Sequence, residues 1–199
     1  MPDHPRFWYV RHGETDWNLT KRYQGQIENP LNETGRAQAA RNGEVLRKLF
    51  ADEQIDPGGV SFIASPFVRT RETMEIIRET MGLDPMAYST EPRIIETSYG
   101  EWQGLLFDEV QELRRDEWEA READPIGYVV PGGESYQMVI ERVKPWLDAL
   151  PGPAVVVGHG GIMRVVHYLL CGIAPEDMMK IPVRQDRIRL FEAGTVELL

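Results

Sequence analysis

The stretch "PGPAVVVGHGGIMR" (residues 151–164) decides the fold. Pro151, Gly152 and Pro153 interrupt any preceding helix. The apolar run 154–157 that follows is rich in valine and bounded by glycine, which predicts a strand buried on both faces. His159, Gly160 and Gly161 then lead into an apolar helical pattern over 162–170. A strand buried on both faces belongs to a parallel sheet covered by helices.

Working outward, the same alternation recurs. Residues 7–10 (FWYV) and 60–64 (VSFIA) predict short strands, each followed by a helix. After Thr34, a candidate N-cap, Ala39, Gly43, Leu46 and Phe50 fall at helical spacing. The pattern over 68–81 sets Met74, Ile77 and Met81 on one face. A further helix from Ser135 carries Val139, Val143, Trp146, Leu147 and Leu150, with Pro145 a site for a kink. Residues 187–191 and 195–198, separated by Glu192, Ala193 and Gly194, predict a closing hairpin. The expected architecture is α/β: a three-layer α/β/α sandwich with a mostly parallel central sheet. Ligands of such sheets sit beyond the carboxyl ends of the strands. Residues 99–130 break the alternation and are expected to form a small helical cap inserted into a single domain, 1–199.

Composition narrows the class. With 42% hydrophobic and 27% charged residues the chain is ordinary globular protein rather than disordered. No run approaches the roughly 18 apolar residues of a membrane span, and the N-terminus lacks a signal-peptide pattern, so a cytoplasmic location is expected. The single cysteine, Cys171, excludes an intrachain disulfide. A formal charge of −10 argues against nucleic acid or an anionic membrane as partner. Between Glu96 and Asp124 ten acidic side chains stand against three arginines. That run predicts a cap that repels highly anionic leaving groups, while Trp102, Phe107, Trp118 and Tyr128 offer stacking surface. The expected substrate therefore has a neutral or partly apolar alcohol part.

Two segments, "FWYVRHGET" and "VVVGHGGIMR", end an apolar strand in a His-Gly step, so His12 and His159 should meet at one sheet edge. The strand ending in Ser65 and Pro66 brings Arg69 to the same edge. Arg11, Arg69 and two histidines form a compact cationic site, as a phosphate dianion requires. The Gly160-Gly161 step offers main-chain N–H groups at a helix start. A metallohydrolase is disfavoured by two arginines at the centre and by the lack of an H-E-x-x-H pairing.

In order, "RHGETDWN", "QGQIENPLNETGRAQA", "SPFVRTRETM", "IIETSYGEWQG", "PGGES" and "VGHGGIMR" resemble the histidine phosphatase superfamily, the phosphoglycerate-mutase-like family, over nearly the full chain. The resemblance implies phosphoryl transfer through a phosphohistidine, without metal or cofactor. It implies His12 as nucleophile, Glu96 as general acid and base, and His159, Arg11 and Arg69 as stabilisers of the phosphoryl group. Asn18, Gln24, Gly25 and Gly160 match positions that contact phosphate. Glu28 stands where the family commonly has Asp, and Arg164 matches a frequent family arginine expected to pin its helix rather than touch substrate. Glu134 and Ser135 are either pocket-rim residues or a helix N-cap.

Within the family, phosphoglycerate mutases resemble "N-E-R-x-Y-G" at the acid, keep an Arg-Arg pair in a long cap, and have "H-G-N" after the second histidine. Here the residues are Glu96-Thr97-Ser98-Tyr99-Gly100 and His159-Gly160-Gly161, and Arg114-Arg115 does not align with the mutase pair. These departures favour a phosphomonoester hydrolase of a small phosphorylated metabolite. Mutase-type transfer, a protein phosphatase and a phospho-binding protein of the same fold are the alternatives. A homodimer is a candidate assembly.

Overall fold

The computed structural model describes residues 4–199. In chain order the elements are β1 (Phe7–Arg11), α1 (Asp16–Leu19), α2 (Glu33–Asp52), β2 (Ser61–Ala64), α3 (Val68–Thr80), β3 (Ser89–Thr90), α4 (Phe107–Leu113), α5 (Arg115–Ala123), α6 (Tyr136–Asp148), β4 (Ala154–Gly158), α7 (Gly160–Cys171), α8 (Pro175–Met178), β5 (Ile188–Glu192) and β6 (Thr195–Leu198). The strands form one six-stranded sheet in the order β3-β2-β4-β1-β5-β6. Strands β3, β2, β4 and β1 are mutually parallel, and β5 and β6 close the sheet antiparallel.

Side-chain parity explains the layers. Alternate residues of a strand face opposite sides. Phe7, Tyr9, Ile63, Ala154 and Val156 pack with α6 and α7 on one face. Trp8, Val10, Phe62, Ala64, Val155 and Val157 pack with α2 and α3 on the other. All five residues of β4 are buried, because helices cover both of its sides. Leu46 of α2 is fully enclosed in the second of these cores. Leu46→Ala is expected to cost about 2–5 kcal/mol of unfolding free energy by lost burial and a residual cavity. Urea unfolding of wild type and variant measures it.

Local signals place several helix ends. The N-cap of α2 is Asn32 rather than Thr34: its side chain accepts from the Gly35 N–H at 2.9 Å, so the helix starts at Glu33, earlier than a Thr34 cap implies. Ser135 caps α6 by accepting from the Met138 N–H, and Pro145 lies within that helix. The α3 N-cap, Phe67, has no capping side chain, and Glu28 takes its place by accepting from the Val68 N–H at 2.9 Å. Strand β3 has only two residues, Ser89 and Thr90, too short to leave an apolar pattern in the sequence. The hairpin of β5 and β6 turns at Ala193 and Gly194, both with positive φ.

Residues 99–130 carry a short 3-10 turn (Gly100–Trp102), α4 and α5, with their own small core of Trp102, Val110 and Val130. Gly100, at φ +47°, is required there: a Cβ would lie 2.1 Å from the Pro131 carbonyl oxygen. No helix among the described residues is long and apolar enough to cross a membrane.

Candidate active site

Three neighbouring parallel strands deliver the site. In the register of β1 with β4, Arg11 sits opposite Gly158, so the residues that follow, His12 and His159, emerge side by side. Their rings are 5.3 Å apart, edge to face. β2 lies on the other side of β4, and Ser65 just past its end reaches His159 Nε2 at 2.8 Å.

The loop after His12 is held from several directions. The His12 N–H donates to the Gly158 carbonyl at 2.9 Å, and its Nδ1 lies 2.8 Å from the Gly13 carbonyl. A carbonyl only accepts, so Nδ1 carries the proton and Nε2 presents its lone pair. Gly13 packs directly on Gly35 of α2: a Cβ on Gly13 would lie 2.2 Å from the Gly35 oxygen. Glu14 accepts from Asn32 Nδ2 at 3.0 Å, tying the loop to the α2 N-cap. Asn18 Oδ1 accepts from the Thr15 N–H and from Gln185 Nε2, leaving the Asn18 NH2 as a donor.

His159 is fixed as firmly. Tyr9 receives a hydrogen bond from the His159 N–H at 2.8 Å and donates to the His159 carbonyl at 2.9 Å. With the Ser65 hydroxyl donating to Nε2, Nδ1 carries the proton, and that nitrogen is buried without a partner among the described residues. Of the residues that line the cavity, Arg11 Nε, Gln24 Oε1 and Arg69 Nε are buried polar atoms in the same condition. Buried polar atoms are normally satisfied, so these three on one cavity wall fit a place where a polar ligand binds.

The arginines are anchored through main-chain oxygens rather than carboxylates. Arg69 donates to the Ile27 and Gly25 carbonyls at 2.8 Å each, and Arg11 to the Val183 carbonyl at 2.6 Å. Burial pushes the Arg69 guanidinium down to about 10 and lowers Arg11 as well; both remain charged at neutral pH. Burial, and then the charges of Arg69 and Arg11, hold His12 well below the ordinary imidazole value. His159 is lowered by burial first, then by Arg69, His12 and Arg11. Both rings are therefore neutral at pH 7.

This lowering has a consequence for stability. Above pH 6.5 neither the folded nor the unfolded form protonates these histidines; below it the unfolded chain takes up protons that the folded chain refuses. Folding stability should fall with decreasing pH from about 6.5 toward the lower folded values, by up to about 1.4 kcal/mol per pH unit for each histidine. Urea midpoints between pH 7 and 5 check the slope, and the doubly substituted His12→Ala, His159→Ala protein should show less of it.

Glu96 is set over the start of α7. Its Oε1 accepts from the Thr97 N–H at 2.9 Å and its Oε2 from the Gly161 N–H at 3.2 Å. A Cβ at Gly161 would lie 2.5 Å from Glu96 Oε1, so this glycine makes room for the carboxylate. Gly161→Ala is expected to displace Glu96 and lower kcat about 100-fold if Glu96 has the acid and base role that the family resemblance implies. Steady-state kinetics beside a circular dichroism spectrum check it. From below, Arg142 donates to the Ile95 carbonyl at 2.9 Å and pairs with Glu134, whose carboxylate accepts from the Ser98 N–H. Glu134 thus braces the Glu96 loop and Ser135 caps α6; neither lines the cavity.

The cavity has a volume of about 460 Å³. Of the residues expected at the site, Arg11, His12, Asn18, Gln24, Gly25, Arg69, Glu96 and Gly160 all line it. His159 does not: it is fully enclosed beside His12, one step behind the wall. The cap expectation is corrected in two ways. Trp102, Trp118 and Tyr128 pack within the cap core, so of the stacking candidates only Phe107 reaches the cavity. The cap acids turn elsewhere: Glu101 and Glu117 pair with Arg114, Glu117 also accepts from the Trp102 indole, and Glu109 accepts from the Leu106 N–H. The cavity wall holds Arg11, Lys21, Arg22, Arg69, Arg121 and Arg164 against Glu14 and Glu96. Arg164 therefore faces the ligand space while its Nε also reaches the Ile181 carbonyl at 3.3 Å. Composition counts charges without direction, which is why the run of acids misled.

Sequence reasoning missed Tyr9, Ser65, Arg121 and Gln185 as site residues. The position of Ser65 at the end of a strand beside β4 was a usable signal. Nothing local indicates which face of α5 meets the cavity, so Arg121 carried none.

The model of the histidine phosphatase superfamily, branch 1, matches residues 7–195. This chain belongs to the histidine phosphatase superfamily. It is 33% identical over 169 residues to phosphoserine phosphatase 1 of Hydrogenobacter thermophilus, covering 82% of this chain and 75% of that one. To 2,3-bisphosphoglycerate-dependent phosphoglycerate mutase 2 of Gloeobacter violaceus it is 30% identical, covering 87% and 79%. Among solved structures, a mycobacterial glucosyl-3-phosphoglycerate phosphatase in complex with VO3 superposes with a TM-score of 0.77 at 25% identity, over 98% of this chain and 96% of that one. The alpha-ribazole phosphatase of Shigella flexneri shares the fold, with a TM-score of 0.78 at 22% identity over 98% and 94%.

Proposed function

We propose that the protein is a metal-independent phosphomonoester hydrolase that acts on a small phosphorylated metabolite through a phosphohistidine on His12. The observation that carries this reading is the neutral His12 ring: its Nδ1 proton is held by the Gly13 carbonyl, and the residue lines one cavity together with Arg11 and Arg69. The unprotonated Nε2 of such a ring is a nucleophile without needing a base.

In the proposed reaction the substrate phosphate lies between Arg11 and Arg69, with the NH2 of Asn18 and the Gly160 N–H as further donors. His12 Nε2 attacks phosphorus as the bond to the alcohol oxygen breaks, and Glu96 gives that oxygen a proton. The imidazole, now bonded to phosphorus, carries positive charge that the Gly13 carbonyl stabilises through Nδ1–H. Water then attacks phosphorus, Glu96 takes its proton, and the P–N bond breaks to return neutral His12 and inorganic phosphate. His159, beside the His12 ring, stabilises the phosphoryl group as charge gathers on it; positioning and electrostatics carry most of the catalysis. A divalent cation is unsuited to this site, where six cationic side chains meet two carboxylates and no group of three or more His, Cys, Asp or Glu that could hold a metal occurs among the described residues.

A panel of phosphomonoesters, assayed with and without EDTA, tests the reading. Release of phosphate unaffected by EDTA is expected. Activity that disappears with EDTA and returns with zinc or manganese would overturn the metal-independent mechanism, and isomerisation of phosphoglycerate faster than its hydrolysis would make the protein a mutase.

A further inference from the structure

The segment between α8 and β5 has no regular structure, yet its main chain is gripped along residues 181–185. Three arginines from three elements donate to three successive carbonyls: Arg164 of α7 to Ile181 at 3.3 Å, Arg189 of β5 to Pro182, and Arg11 of β1 to Val183 at 2.6 Å. Asn42 of α2, itself buried, donates to the Gln185 carbonyl at 3.1 Å. Hydrogen bonds from charged donors are the stronger kind, so this strap is a fixed platform beside the cavity that Val183 and Gln185 line. From it the Gln185 side chain reaches back to the nucleophile loop. Its Nε2 lies 3.2 Å from the His12 carbonyl and 3.0 Å from Asn18 Oδ1, which uses both hydrogens of the amide.

Asn18 needs such a partner. The two ends of a carboxamide are nearly the same size, so only its neighbours decide which end faces the ligand. Asn18 Oδ1 accepts from the Thr15 N–H at 3.1 Å and from the Thr15 hydroxyl at 3.2 Å, but Thr15 is the N-cap of the same turn and moves with it. Gln185, 167 residues away, supplies the third donor and the one from outside the loop. Because the same nitrogen also holds the His12 carbonyl, the turn cannot draw away from His12 without breaking one of the two bonds. We propose that Gln185 is a positioning residue for phosphoryl transfer: it keeps Asn18 Oδ1 turned away from the ligand and the Asn18 NH2 at a set distance from His12 as a donor to phosphate. The proposal rests on the phosphatase reading, which places the phosphate at His12. Gln185 itself touches neither the nucleophilic nitrogen nor the reacting bond; it acts through Asn18.

Calorimetric titration with inorganic phosphate tests the role without requiring turnover. Gln185→Met keeps the length of the side chain and adds no charge, but it cannot donate. It should weaken phosphate binding about tenfold, the upper range for one hydrogen bond, and Gln185→Ala should do the same. In an Asn18→Ala background, adding Gln185→Met should change Kd less than about threefold, because the group through which Gln185 acts is already gone. Phosphate affinity of Gln185→Met within about threefold of wild type, or the same loss with and without Asn18, would overturn the proposal. So would a lowered urea midpoint with unchanged phosphate affinity, which would make Gln185 a brace for the strap alone. Release of phosphate from esters by wild type is scored separately. Hydrolysis without coupling between the two positions refutes the role of Gln185 alone, and coupling in phosphate binding without hydrolysis of any ester refutes the phosphatase reading alone.

Discussion

His12→Ala is expected to lower kcat/KM by about 10⁴-fold or more, because the substitution removes the proposed nucleophile rather than one of several stabilising contacts. The residue is 3% exposed; its ring is held through Nδ1, while its backbone N–H bond to Gly158 survives the substitution, so few other contacts are lost. The variant should remain folded and still bind phosphate, since Arg11 and Arg69 keep their anchors on Val183, Ile27 and Gly25. Initial rates on the best substrate of the panel, together with phosphate protection in thermal unfolding, measure both halves. Activity within tenfold of wild type would remove His12 from the chemistry.

Arg69→Ala is expected to lower kcat/KM by roughly 10²–10³-fold, the usual loss when a preorganised donor to a developing anion is deleted. Stability should fall too. The guanidinium is fully buried, and its removal leaves the Ile27 and Gly25 carbonyls without their donor at a cost of about 1–3 kcal/mol each before relaxation. The two effects are separable: Arg69→Lys keeps the charge but not the planar fork, so it should regain part of the stability and little of the rate. Kinetics and urea unfolding of both variants decide it. Equal rates in Arg69→Lys and wild type would mean that only charge matters at this position.

Much of the sheet could be read from residue pattern alone, because β1, β2 and β4 are short apolar runs followed by helices with clear apolar faces. The two His-Gly steps also located the site, since parallel neighbours share a carboxyl edge. What could not be read has physical reasons. A two-residue strand such as β3 leaves no period. The α2 cap fell on Asn32 because the side chain that reaches the Gly35 N–H, rather than the first plausible capper, sets the start. The need for glycine at position 161 appears only once Glu96, far away in sequence, is placed against it. The polarity of the cavity wall was read with the wrong sign: acids dominate α4 and α5, yet Arg121 is the α5 residue that lines the cavity. Side-chain direction on a cap helix depends on how the cap packs, which local sequence does not encode.

The central claim is that phosphate passes through a covalent bond to His12 Nε2. Rapid acid-free quenching of the enzyme during turnover of a 32P-labelled phosphomonoester, followed by peptide mapping, tests it most directly. The account predicts label approaching one phosphate per chain when the second step is slow, labile to acid, stable to base, and located on the peptide containing His12. Base-labile label on another residue, or turnover with no labelled enzyme at any time, would contradict it.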